Sequence, residues 1–314
     1  MIRSARLKAF AKVNLGLRVL YKRPDGYHEL RTIFQTISLA DTLGVTFESA
    51  KQTRIQIEGA PHIPDNLVEK AARLLLDEMA ITADVRFELG KKIPSGAGLG
   101  GGSSDAAAVL LSLPVLGGRH VPPQRLFEIA AQLGSDVPFF LHGGTALGLG
   151  RGEELYPLPD QPQRRVLLVA PRVHSSTAEA YRDLSARLTS NLLQNKLFTF
   201  QQNTWERPGQ VIDNDFEEVV FARHPELQLV RDRLRAAGAE VAAMTGSGSS
   251  IFGIFRTAEQ RAGARKLFKT EPTFAISFLS RERYRSAWRR ALAPHIQPGS
   301  LKGTSWPPQS QYAQ

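Results

Sequence analysis

The run Pro94-Ser95-Gly96-Ala97-Gly98-Leu99-Gly100-Gly101-Gly102-Ser103-Ser104-Asp105-Ala106-Ala107 constrains this chain more than any other stretch. Five of the seven positions from 96 to 102 are glycine, and the apolar segment 106–113 follows at once. Without β-carbons, backbone N–H groups can crowd around a bound group. The helix predicted over the apolar segment adds its own free N–H groups and the positive end of its dipole at the same place. Loop and helix together make a device for holding phosphate. A flexible Gly/Ser linker is the competing reading. The run lies between a predicted strand (85–89) and a predicted helix, where a linker has no use.

The 314 residues suffice for one large or two ordinary domains. A hydrophobic content of 42% with 22% charged residues is that of a soluble globular protein. The absence of cysteine excludes disulfides, thiolate catalysis and cysteine-held metal, and fits a reducing compartment. Lys8 and Lys12 interrupt the first apolar residues, so no signal-peptide layout is legible. No segment approaches the ~20 apolar residues that cross a bilayer. The expectation is a cytoplasmic protein with no membrane partner.

Strands are predicted at 5–20, 32–39, 43–48, 54–58 and 85–89, from apolar runs and alternation. Helices are predicted from Asp65-Asn66 through 79 and from Pro122-Pro123 through 133, the latter with proline in its first turn. Glycines over 143–152 and prolines over 157–162 predict a boundary near residue 160. Beyond it come strands at 166–169, 241–244, 250–255 and 273–279, with helices at 176–188, 224–237 and 258–269. This alternation, without a long parallel βαβ series, predicts an α+β fold of two domains, 1–160 and 161–294. Residues 295–314 are poor in aliphatics and rich in Pro, Gln, Ser and Gly, and read as a disordered tail.

Three other phosphate loops fail their own tests here. A Walker A loop needs a lysine after its glycines, and none follows. Gly96, Gly98 and Gly101 satisfy a dinucleotide fingerprint, yet the acid expected about twenty residues on is replaced by Val121-Pro122-Pro123-Gln124-Arg125. The downstream motifs of protein kinases are missing. What remains, Pro-x-x-x-Gly-Leu-Gly-Gly-Gly-Ser-Ser-Asp-Ala-Ala, resembles the phosphate loop of the GHMP kinases. That resemblance implies a two-domain GHMP-kinase-like fold. It also implies that residues Pro94 to Ser104 wrap the phosphates of ATP. Asp105 stands where some relatives have Asn, which leaves open whether it meets Mg²⁺ or only the helix N-terminus.

Other segments fit the same family. In Ala11-Lys12-Val13-Asn14-Leu15-Gly16-Leu17, Lys12 and Asn14 share the polar face of an apolar strand, so that face lines something. The segment resembles the family's first motif. Arg23-Pro24-Asp25-Gly26-Tyr27-His28 reads by itself as a turn before a strand. It looks like the family branch whose acceptor is a cytidine-diphosphate-linked methylerythritol. Tyr27 offers a face for stacking on a pyrimidine and His28 offers ring-edge hydrogen bonds. Gly134-Ser135-Asp136-Val137-Pro138 is either a helix cap or, by the resemblance, the site of a catalytic aspartate. Thr245-Gly246-Ser247-Gly248-Ser249-Ser250 is a hairpin turn or the family's third motif.

The resemblance then implies a kinase with ATP as co-substrate and Mg²⁺ as cofactor, acting as a monomer or homodimer. Lys12 and Asp136 would be catalytic, with Asn14, Tyr27, His28 and Tyr181 on the acceptor. Asn66 and Lys91 would join the loop on the nucleotide, and the metal ligands are left unassigned. Two alternatives stay open. One is another GHMP small-molecule kinase, of homoserine or mevalonate type. The other is a basic nucleic-acid-binding protein, because residues 256–302 carry eleven Lys or Arg against three Glu. No nucleic-acid motif accompanies that charge, so a solvated basic surface is the preferred reading.

Overall fold

The computed structural model describes residues 2–59, 65–187 and 212–296. Its first half is built on a long hairpin, β1 (Ile2–Lys22) with β2 (His28–Ser49). The Asp25-Gly26 turn closes it: the Tyr27 N–H donates to Asp25 Oδ1 at 3.1 Å, and Gly26 takes φ +87°. β2 has two partners along its other edge. Residues 30–35 pair with β5 (Thr145–Gly150), and residues 42–49 pair with β4 (Ala83–Gly90). β3 (Arg54–Glu58) joins β4 in parallel through the crossover helix α1 (Leu67–Glu78), and β6 (Glu154–Pro157) pairs with β5.

The sequence reading split β2 in two around Asp41. The strand is continuous because that acid is satisfied inside the fold: its Oδ1 accepts from Ile93 N at 2.8 Å and from Lys92 N at 2.5 Å, and its Oδ2 meets the Lys91 ammonium. A buried carboxylate with a full set of partners need not break a strand. The glycine-rich stretch 143–152 likewise contributes to strand β5.

α2 (Gly101–Gly117) begins five residues before the predicted apolar start, so two of the glycines form its first turn. α3 (Pro123–Leu133) follows as expected, then the short α4 (Val137–His142). α1, α2, α3 and α4 bury their apolar sides with the first sheet in one core. The second sheet runs β10-β7-β9-β8 and is antiparallel throughout, from β7 (Arg165–Val169), β8 (Val241–Met244), β9 (Ile251–Phe255) and β10 (Thr273–Ser277). One face is covered by α5 (Thr177–Ser185), α6 (Phe216–Arg223), α7 (Pro225–Ala236) and α8 (Ala258–Arg265). The other face packs Val166, Leu168, Phe252 and Ile254 against Val13, Leu15, Ile33 and Ile37 of the hairpin. A cleft between the two halves opens beside this seam.

Three helices were not anticipated from sequence. α4 and α6 are short. α9 (Arg281–Leu292) hides in the basic run: Tyr284, Trp288 and Leu292 recur every four residues and are fully buried. They enter the core of the first sheet, although the sequence reading grouped residues 281–292 with the second unit. Of the predicted tail, His295 sits beside Ser4, with Nε2 2.8 Å from its carbonyl oxygen, and residues 297–314 lie outside the described residues. Among the described residues no helix is long and apolar enough to cross a membrane.

Candidate active site

Strand β1 brings the first catalytic candidate into the cleft. Bulges between Phe10 and Lys12 and between Asn14 and Leu17 turn Lys12 and Asn14 to one side while Val13 and Leu15 enter the core. Lys12 is 4% exposed, and its ammonium donates to Asn14 Oδ1 at 2.9 Å. It stands 3.3 Å from Asp136 Oδ2 and 5.3 Å from the centroid of Phe34. Asp136 occupies the N-cap position of α4, yet its side chain makes no capping bond. Its carboxylate turns to Lys12 and keeps a face open to the cleft. The cap reading of Asp136 is therefore set aside by geometry.

Asn14 ties three motifs together. Its amide nitrogen donates to Thr32 Oγ1 at 2.7 Å, and its backbone N–H donates to Thr245 Oγ1 at 3.0 Å. The Thr245 hydroxyl lies 3.2 Å from Asn14 Oδ1 and 3.4 Å from the Gly98 carbonyl. Thr245 is held from behind by Asn214, whose amide donates to the carbonyls of Met244 and Gly246. The glycine loop thus rests on the Thr245 turn, and the contact is close. A β-carbon on Gly98 would stand 2.2 Å from the Thr245 oxygen, and Gly98 has φ +76°. The loop is also joined to β1, where Lys12 N donates to the Leu99 carbonyl at 3.1 Å.

Two cavities meet across this loop and share Gly96, Gly98 and Gly100. The larger, about 960 Å³, is lined by Lys12, Asn14, Tyr27, His28, Asp136 and Tyr181 among others. The smaller, about 350 Å³, is lined by Pro94 through Ser103 with Asn66, Lys91 and Asp105. So the residues expected on the acceptor gather on one side and those expected on the nucleotide on the other. Ser104 lines neither: it is fully buried and its hydroxyl donates to the Phe10 carbonyl at 2.7 Å. Asn66 caps α1, its Oδ1 accepting from Val68 N at 3.0 Å.

The far end of the larger cavity is aromatic. His28 stacks on Tyr181 with centroids 4.7 Å apart, and Tyr181 meets Phe216 edge-on. Ser185 donates its hydroxyl proton to the Tyr181 carbonyl at 2.7 Å, so the His28 Nε2–H donates to Ser185 Oγ at 2.6 Å. That tautomer leaves Nδ1 as an acceptor. Burial, with the positive charge of Lys22 behind it, lowers the His28 pKa and keeps the ring neutral. Burial also raises the Tyr181 hydroxyl, helped by the negative charge of Asp136. Tyr27 is 53% exposed at the rim, with the Arg151 guanidinium 4.7 Å above its ring. Arg151, a cavity residue that the sequence reading missed, follows a glycine-rich strand and carries no motif of its own.

At the nucleotide side Lys91 is engaged by two carboxylates. Its ammonium lies 2.7 Å from Asp105 Oδ2 and meets Asp41 Oδ2. Burial alone would lower its pKa, and the two acids outweigh that and raise it. Burial pushes the Asp105 carboxyl up to about 7 despite the pull of Lys91, with the negative charge of Asp41 adding to the rise. Asp105 thus has the Lys91 ammonium as a partner. Among the described residues no three His, Asp or Glu side chains cluster to hold a metal ion.

The basic run also divides. Arg281 is folded inward, its Nε donating to His142 Nε2 at 3.1 Å and its Nη2 to the Thr145 and Leu158 carbonyls. Arg283, Arg289 and Arg290 line an open groove with Arg6 and Lys8, away from the glycine loop.

Fold, loop and cleft together define a small-molecule kinase, and this chain belongs to the GHMP kinase family. Residues 66–144 match the family's N-terminal domain and residues 196–271 its C-terminal domain. The chain is 54% identical over 99% of its length, and 98% of the relative's, to the 4-diphosphocytidyl-2-C-methyl-D-erythritol kinase of Solibacter usitatus. A crystal structure of 4-(cytidine 5'-diphospho)-2C-methyl-D-erythritol kinase superposes with TM-score 0.72 at 39% identity, covering 88% of this chain and 99% of that one. A homoserine kinase from Cytophaga hutchinsonii shares the fold, with TM-score 0.69 at 20% identity over 89% of this chain and 96% of the other.

Proposed function

We propose that this chain transfers the γ-phosphoryl group of ATP to the 2-hydroxyl of 4-diphosphocytidyl-2-C-methyl-D-erythritol, in the cytoplasm, as a step of methylerythritol phosphate isoprenoid synthesis. The observation that carries this reading is one cleft with the Lys12–Asp136 ion pair between the glycine loop and an aromatic pocket. The loop N–H groups and the start of α2 bind the ATP phosphates. Asp136 accepts the proton of the attacking hydroxyl. The new P–O bond forms on that oxygen as the bond to the β-phosphate oxygen breaks, and ADP leaves. Lys12 orients Asp136 and offsets charge on the phosphoryl group in flight. Mg²⁺ bound to the nucleotide phosphates would neutralise their charge beside the glycine loop.

At the other end, Tyr27, His28 and Tyr181 receive the pyrimidine. The free Nδ1 of neutral His28 matches the amine donor of cytosine. Homoserine and mevalonate have no ring to fill this pocket, which disfavours the other GHMP substrates. The test is ADP release from the full chain with the cytidyl acceptor and with its sugar-alcohol phosphate lacking the cytidyl group. Turnover of the first at least ~100-fold above the second is expected; equal turnover, or preference for homoserine or mevalonate, rejects the acceptor. Asp136→Asn is expected to lower kcat by about 10²–10⁴ with ATP binding retained. Full activity in that variant rejects Asp136 as the base.

A further inference from the structure

The glycine loop has two ends, and one ammonium joins them. Lys91-Lys92-Ile93 leads into the loop, and Asp105 lies one turn into the helix that leaves it. The Lys91 ammonium reaches Asp105 Oδ2 from the entry side, at 2.7 Å. Asp41 on β2 holds the entry in place by accepting from the Lys92 and Ile93 N–H groups and from Lys91 itself. Both carboxylates are buried, Asp41 at 0% and Asp105 at 2% exposed. Gly101, the first residue of α2, leaves room for the bridge: a β-carbon there would stand 3.4 Å from Lys91 Nζ and 3.0 Å from Ile93 Cγ2.

The two acids differ in one respect. Every oxygen of Asp41 has a partner, whereas Asp105 Oδ1 is buried with none. One ammonium therefore faces two buried carboxylates, and the oxygen lacking a partner is where a proton is held at least cost. We propose that Lys91 is a positioning residue that fixes the width of the phosphate loop, and that Asp105 gains a proton as nucleotide enters and loses it as nucleotide leaves. The inference rests on the assignment of the loop to ATP and extends it to residues that do not touch the acceptor.

The direction follows from charge. The groups facing Asp105 are Lys91 from the loop entry and Asp41 from β2. Asp65, on the same cavity wall, is paired with Lys70 at 3.1 Å, and Lys12 lies beyond Gly100. A carboxyl raised to about 7 is largely neutral below that pH and anionic above it. The anionic form repels the nucleotide phosphates, so affinity for ATP falls as pH rises through 7. By linkage, a bound nucleotide raises the proton affinity of Asp105, and binding near pH 7.5 takes up protons.

The experiment is calorimetric titration of the full chain with a non-hydrolysable ATP analogue and Mg²⁺, in two buffers of different ionisation enthalpy, from pH 6 to 8.5. Expected is proton uptake that Asp105→Asn reduces, and a fall in affinity with pH of about three- to tenfold beyond that of the variant. The comparison cancels the titration of the nucleotide itself. Equal proton uptake and parallel pH profiles in the two proteins overturn the role of Asp105. Lys91→Met is expected to weaken nucleotide binding more than tenfold, with acceptor KM changed less than twofold and with Lys91→Arg recovering part of the loss. Unchanged nucleotide affinity in a folded Lys91→Met overturns the role of Lys91. Failure of the natural protein to bind the analogue overturns the nucleotide assignment and the inference with it, whereas failure of the acceptor assay alone leaves both standing.

Discussion

At the scale of single residues, the site separates groups that meet substrate from groups that hold those groups. Tyr27 belongs to the first kind: exposed at the rim, it supports little of the core, so its removal reads out on binding. Tyr27→Ala is expected to raise acceptor KM about tenfold or more while ATP KM stays within twofold, measured by steady-state kinetics; an equal rise in both rejects the stacking role. His142 is of the second kind. It is buried at the end of α4, accepts from Arg281, and has Nδ1 without a partner. Burial and the charges of Arg281 and Arg285 lower its pKa to about 3. The unfolded chain binds a proton near pH 6.5, so below that pH protonation favours unfolding. The contribution is about 1.4 kcal/mol per pH unit, present from about 6.5 downward. His142→Gln keeps an acceptor for Arg281, and its urea midpoint is expected to fall less between pH 7 and 5 than that of the natural protein. Parallel loss in the two rejects the assignment. Lys12 and Asn14 stood out in the sequence as polar groups on an apolar strand, a local signal, whereas Asp136 stood out only through the family resemblance, since a carboxylate after a Gly-Ser turn reads equally well as a cap. Asp41 and Arg151 did not stand out, since Asp41 acquires its partners from the distant segment 91–93 and Arg151 reaches the cavity only by lying over Tyr27.

At the scale of elements, the glycine loop works through what it rests on. Gly98 illustrates this, with its positive φ and its close approach to the Thr245 carbonyl. Gly98→Ala is expected to cost about 1–3 kcal/mol by chemical denaturation and to lower nucleotide affinity more than tenfold. Gly26→Ala, also at positive φ but with nothing within 4 Å, is expected to cost about 1 kcal/mol and leave nucleotide affinity intact. Equal nucleotide affinity in the two variants rejects the packing role of the loop. α1 and α3 were predicted within two residues because apolar spacing is joined in α1 by the Asn66 cap and in α3 by a first-turn proline. α9 was overlooked because seven charged or polar residues mask a buried stripe of three. Its helical period was present in the sequence, but only the core it enters gives Trp288 and Tyr284 somewhere to go.

For the molecule as a whole, the sequence by itself determined the phosphate loop, the order of the motifs and the α+β character, since each rests on neighbours along the chain. Tertiary structure alone decided the rest. Lys12 and Asp136 become a pair only when β1 and α4 face each other across the cleft. Thr245 becomes a support for the loop only when the two sheets share the core built from Val13, Ile37, Val166 and Phe252. The C-terminal helix completes the first core, so that half depends on the last described residues of the chain. The physical reason is range: caps, turns and periodicity act over a few residues, whereas ion pairs and close packing act between segments that only the folded chain brings within a few ångströms.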